Sequence, residues 1–119
     1  MTFVDTKKAL EHFGAKLNFT TGPLELFEMI RNDEHINVID VREAFDFAAG
    51  HIPGAMNLPR SAWSTTFGLT QDGANIIYCH SETCHLAANA SRYFAERGFP
   101  VVELEGGFEQ WQRHNLPVV

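Results

Sequence analysis

Three short runs, INVIDV (36–41), IIYC (76–79) and VVEL (101–104), constrain the fold more than anything else in the chain. Each is mostly β-branched and apolar without strict polar alternation, which is the pattern of a strand covered on both faces. Helical patterns separate them. EAFDFAAG (43–50) reads as a brief helix closed by Gly50. CHLAANASRYFAERG (84–98) reads as a longer one, with Leu86, Ala87, Ala90 and Phe94 facing inward and Gly98 as its stop. Buried strands alternating with helices predict an α/β fold whose mostly parallel sheet is covered on both faces. Ligands in such folds bind where the carboxyl ends of strands meet helix N-termini, and the end of IIYC is a place of that kind.

Upstream, Phe3, Leu10, Phe13 and Leu17 fall at helical spacing with Lys7, Lys8 and Glu11 between them, predicting an amphipathic helix that ends near Gly14 and packs as an extra element. LNFT (17–20) reads as a short strand. In TTGPLELFEMIRND (20–33), Thr21 is the expected N-cap, Pro23 sits in the first turn, and Leu24, Phe27 and Ile30 share one helical face. The expected organisation is an N-terminal helical extension over residues 1–17 and one domain over 18–119. With 119 residues, 45% of them hydrophobic, the chain can bury a core without staples. Fifteen acids against nine Lys and Arg give a net charge of −6 and argue against a nucleic-acid partner. No run approaches the roughly 20 apolar residues of a membrane span, and the start lacks a signal-peptide core, so a cytoplasmic protein without a membrane partner is expected. No pattern specifies an oligomeric state.

The chain has two cysteines, Cys79 and Cys84, and both lie in one loop. Five positions apart in a reducing compartment, they point to reactivity or metal binding more than to a structural disulfide. If Cys79 ends a strand and the helix begins near Cys84 or His85, the backbone N–H groups of the intervening loop converge with those of the first helical turn. That concavity stabilises negative charge, and it should bring a thiol below its usual pKa of about 8.5. Cys79 is its natural occupant. Ser81 and Thr83 add hydroxyls for a bound anion, with helix capping as the alternative for Thr83.

VIDVREAFDFAAGHIPGAMNLP (38–59) resembles the first half of a rhodanese domain, marked by Asp-Val-Arg-Glu, then Gly-His-Ile-Pro-Gly-Ala and a short strand. IIYCHSETCHLAANASRYFAERGFPVVELEGGFEQW (76–111) is similar to its second half, with a cysteine loop, a helix, a strand and Glu-Gly-Gly before a tryptophan. The resemblance covers roughly residues 18–114 and rests on three motifs in order. It implies a five-stranded parallel sheet flanked by helices on both faces, and a sulfurtransferase with no cofactor. Cys79 would take sulfane sulfur from a small-molecule or protein donor, hold it as a persulfide among the amides of residues 80–85, and pass it to a thiol acceptor. Asp40 and Arg42 match the Asp-Val-Arg motif and His51 the family histidine; all three read as supporting rather than chemical. Pro53, Gly54, Gly106 and Gly107 supply turns, Phe108 and Trp111 belong to the core, and Trp63 to the core or a wall of the site.

The loop departs from the family pattern Cys-Arg-Ser-Gly-X-Arg: His80 and Cys84 stand at the arginine places and Glu82 at the glycine place. Loss of the guanidinium forks and gain of a carboxylate disfavour an anionic donor such as thiosulfate. Phosphatase chemistry on this fold needs an arginine closing the loop, and the first one after Cys79 is Arg92, inside the helix. Cys84 has three readings: a small buried thiol, a resolving thiol that attacks the Cys79 persulfide, or a ligand in a Cys79-His80-Cys84-His85 metal cluster, whose spacing is unlike the usual zinc sites. His80 and His85 read better as solvent-facing or as tuning the thiolate. The rival to an enzyme is a non-catalytic module of this fold that binds a partner protein.

Overall fold

The structure is a computed structural model that describes residues 3–32 and 34–119. Asp33, the last residue of the second helical pattern, lies outside the described residues. In chain order the elements are α1 (Thr6–Phe19), β1 (Thr20–Thr21), α2 (Pro23–Arg31), β2 (Ile36–Asp40), α3 (Ala44–Ala49), β3 (Met56–Asn57), a 3-10 segment (Arg60–Thr65), β4 (Ala74–Tyr78), α4 (Leu86–Glu96), β5 (Val101–Leu104) and α5 (Gly107–Arg113). The five strands form one all-parallel sheet in the order β1-β5-β4-β2-β3, with β4 at its centre.

Period-2 alternation along β4 divides the core. Ile77 and Cys79 face one side, with Ile39, Val41, Trp63 and the α4 residues Ala87, Ala90 and Phe94. Ile76 and Tyr78 face the other, with Leu26 of α2, Phe108 and Trp111 of α5, and Ile52. Helices therefore cover both faces, as the continuous apolar runs predict, and Trp63 is a core residue, its indole N–H donating to the Leu58 carbonyl at 3.1 Å. Gly98, at φ +86°, ends the α4 region in the left-handed conformation expected of its stop.

The N-terminal part differs from its sequence reading. Asp5 caps α1, its carboxylate accepting from the N–H groups of Lys7 and Lys8 at 3.0 and 3.1 Å, and the helix runs through Gly14 to Phe19. One interior glycine costs only about 1 kcal/mol, and Ala15, Lys16 and Leu17 continue the helix. LNFT is thus helical up to Phe19, and the strand is only Thr20–Thr21, paired with Glu103 and Leu104 of β5. The predicted apolar stripe is not a packing face: Phe3, Leu10 and Leu17 are 85, 76 and 79% exposed. No residue of α1 is buried; His12, Ala15, Lys16 and Phe19, themselves exposed, line an open groove of about 650 Å³ with Ala88, Ala95 and Val101. In α2, Gly22 rather than Thr21 is the N-cap; its N–H donates to Glu25 Oε1 at 3.2 Å. Thr21 is committed to β1, and the buried residue of α2 is Leu26, while Leu24 is exposed.

Candidate active site

Cys79 follows directly on β4, at the carboxyl end of the central strand. The start of α5 holds its loop from below: the Phe108 N–H donates to the Cys79 carbonyl at 2.9 Å, and the Glu109 N–H to the His80 carbonyl at 2.8 Å. So close an approach needs Gly107. Its φ is +59°, and a Cβ there would lie 2.7 Å from the Cys79 carbonyl oxygen and 2.9 Å from the Ser81 nitrogen. Within the loop, the Cys84 N–H donates to the Ser81 carbonyl at 3.1 Å, so that amide belongs to a turn and not to an anion cradle. Thr83 does not cap α4. Its hydroxyl lies 3.1 Å from that of Ser81, and His85 occupies the N-cap position without a side-chain cap.

Cys79 is only 2% exposed. Its thiol donates to the Cys84 carbonyl at 3.4 Å, and the half-buried Cys84 packs against the core cluster that contains Cys79. The expectation of a lowered pKa is reversed. Burial first, then the Cys84 thiol, push the Cys79 thiol well above the usual range, while the N–H groups of Ala87 and Ser81 favour the thiolate without prevailing. The helix start is where the sequence predicts it, but a sulfur enclosed by Ile77, Ala87 and their neighbours has lost more hydration than those donors return.

A cavity of about 240 Å³ opens on the thiol, lined by Lys16, Cys79, Ser81, Glu82, Ala87, Glu103, Leu104, Glu105 and Gly106. Of the expected loop residues, Cys79, Ser81 and Glu82 line it. His80 turns away to Asp46, its Nε2 3.5 Å from Oδ2. His85 is near enough to Glu103 to oppose the rise of that carboxyl's pKa, which is driven by burial and then by Glu105. Glu103, Glu105 and Lys16 were not legible as site residues. The one available signal was an acid inside the otherwise apolar run VVEL.

Asp40, Arg42 and His51, expected to support the site, do not line the cavity. Asp40 and Arg42 are both buried, and the guanidinium donates to the carboxylate from Nη2 at 2.7 Å and from Nε at 3.1 Å. Nη2 also donates to the Gly50 carbonyl at 2.7 Å, and the group lies 4.3 Å over the Phe108 ring. Arg42 thereby steadies the residue whose N–H holds the Cys79 carbonyl. His51 stacks on Phe47 at 3.7 Å and donates from Nδ1 to the Phe47 carbonyl at 2.8 Å, away from the thiol. Among the described residues no three His, Cys, Asp or Glu side chains are grouped to hold a metal ion, so Cys79, His80, Cys84 and His85 do not form the cluster that the third reading of Cys84 requires. No helix among the described residues is long and apolar enough to cross a membrane.

The chain is similar to known proteins over most of its length. The family model described as "Rhodanese-like domain" matches residues 23–114. A Mycobacterium tuberculosis HTH-type transcriptional regulator is 34% identical over 94 residues, 76% of this chain, which spans only 42% of that relative. A protein of Allochromatium vinosum named a sulfurtransferase is 31% identical over 96 residues, 79% of this chain and 88% of that one. A crystal structure of a Bacillus halodurans protein superposes with a TM-score of 0.88 at 34% identity, covering 97% of this chain and 86% of that one. A parallel five-stranded sheet with a cysteine loop at its central strand end, matched over these lengths, places the chain in the rhodanese-like domain family.

Proposed function

We propose that the chain is a sulfurtransferase that carries sulfane sulfur as a persulfide on Cys79. The observation that carries this reading is the position of Cys79: the central strand end, beside a cavity of about 240 Å³ that Ser81 and Ala87 also line, with the N–H groups of those two residues favouring the thiolate. Family membership and the likeness to a protein named a sulfurtransferase support it. In the first half-reaction the Cys79 thiolate attacks the terminal sulfur of a donor hydropersulfide. The new S–S bond forms as the donor's own S–S bond breaks, and the donor leaves as a thiolate. In the second, an acceptor thiolate takes the outer sulfur and Cys79 is released. Burial that raises the pKa of the free thiol also shields the loaded persulfide from water and stray thiols.

To test this, the reduced protein is loaded with inorganic polysulfide, desalted and treated with cyanide. The reading expects about one thiocyanate per chain, and none from Cys79→Ser; equal release from both proteins contradicts it. A second reading, a thiol redox pair, is favoured by Cys84 packing against the core cluster that contains Cys79 and by its raising of the Cys79 pKa. There the Cys84 thiolate attacks the inner sulfur of the persulfide, forming a Cys79–Cys84 disulfide and expelling hydrosulfide. Cys84→Ala would then hold the loaded sulfur longer than wild type; equal lifetimes leave Cys84 out of the chemistry.

A further inference from the structure

The wall of the Cys79 cavity is acidic in a way the loop alone does not convey. Glu82 comes from the loop, Glu103 from β5 and Glu105 from the turn after it, so three glutamates line a cavity that Cys79 also lines. The one Lys or Arg side chain in that wall, Lys16 of α1, has its Nζ 3.5 Å from Glu105 Oε1 and is already engaged. Glu103 is half-buried and makes no ion pair with Lys or Arg among the described residues. Burial and then Glu105 disfavour its charge, and nearby His85 opposes them without prevailing, so the site gains when a cation enters and loses when an anion does. The volume, room for roughly eight waters, limits the cation to a small molecule. On its outer side the same three residues, Lys16, Glu103 and Glu105, also line the larger groove between α1 and α4, which gives a donor its way in.

Resting on the assignment of Cys79 as the persulfide carrier, we propose that this cavity selects sulfur donors by positive charge. It takes the hydropersulfides of small ammonium-bearing thiols, with the ammonium against Glu103 and the terminal sulfur at Cys79 Sγ, and turns away anionic donors. The exchange is R–S–SH plus the Cys79 thiolate giving the Cys79 persulfide plus R–S⁻, where R carries the ammonium. One S–S bond breaks and one forms, with no net oxidation.

The test compares cysteamine hydropersulfide with its uncharged N-acetyl form and with the anionic N-acetylcysteine hydropersulfide. Initial loading of Cys79 is read by intact mass, in wild type and in Glu103→Gln. Comparing the two proteins cancels the intrinsic reactivity of each donor. The ratio of cysteamine to N-acetylcysteamine loading is expected to fall by about tenfold in Glu103→Gln, and in wild type it should shrink as salt is raised. The salt series reads the same charge effect without any substitution, should the variant fold poorly. If all donors load Cys79 and the ratio is the same in both proteins and at every salt concentration, charge selection is overturned while the carrier role stands. If no donor loads Cys79, the carrier role itself falls, and the selection with it.

Discussion

In the proposed carrier role, Cys79 sets two requirements against each other: a nucleophile must ionise, and a persulfide must be sheltered. Burial and then Cys84 raise its pKa, so its alkylation by iodoacetamide should be slow at pH 7 and still rising above pH 9. Removing the smaller cause tests the attribution. In Cys84→Ala the pH profile of Cys79 alkylation should move toward neutral, raising the rate at pH 7 by roughly threefold to tenfold; an unchanged profile would mean that burial alone sets it. Arg42 is a different case. Replacing it by Ala leaves the Asp40 carboxylate buried without its partner, and denaturant unfolding should register a loss of about 3–5 kcal/mol. The sequence made Cys79, Asp40 and Arg42 legible because local motifs carry them. Glu103 and Glu105 were not, because they come to the wall of the Cys79 cavity only through the pairing of β4 with β5, more than twenty positions along the chain.

The strands β2, β4 and β5 and the helices α3 and α4 were legible as elements, because each has a mainly apolar or helically spaced pattern and a glycine or polar stop. β1 and β3 were harder to place. Each is two residues long, too short for a periodic signal, and each exists because a longer neighbour offers its edge: β5 for Thr20–Thr21 and β2 for Met56–Asn57. In α1 the period was right, but the side that lines the groove was not the strongly apolar one. Ala15 and Lys16 line an open groove with α4 and β5 while staying exposed, and no residue of α1 is buried, so Leu10 and Leu17 are left in solvent. At this scale the junction of β5 and α5 makes the sharpest demand. Gly107→Ala puts a side chain at positive φ and into the Cys79 carbonyl, so it should cost at least about 2 kcal/mol in thermal or denaturant unfolding. Loading of Cys79 should fall further than the loss of folded protein explains. Wild-type stability and loading would show that the loop does not depend on this approach.

Over the whole molecule the charge balance has a consequence beyond solubility. The chain carries −6, and part of that surplus is drawn to the mouth of the cavity, where Glu82, Glu103 and Glu105 meet one lysine. Burial first, then Glu105, raise the Glu103 pKa in the folded chain. A carboxyl raised on folding leaves stability intact below its unfolded value and reduces it as pH climbs through the folded one. Glu103→Gln should therefore be more stable than wild type at pH 7, by less than about 1 kcal/mol because the group is partly solvated, and the two should converge near pH 4. A difference that persists unchanged at pH 4 would rule out charge as its cause. The α/β class and its parallel sheet followed from the order of buried strands and intervening helices, and the five-strand count from the family resemblance, whereas the sign of the thiol's pKa shift depended on how much packing surrounds one sulfur, which no local pattern encodes. The most direct measurement is the intact mass of the fully reduced protein before and after brief exposure to polysulfide, for wild type and Cys79→Ala. The persulfide carrier predicts one added sulfur atom in wild type and none in the variant. Wild type that gains no sulfur and loses no hydrogens, or a variant that gains the same sulfur, would contradict it.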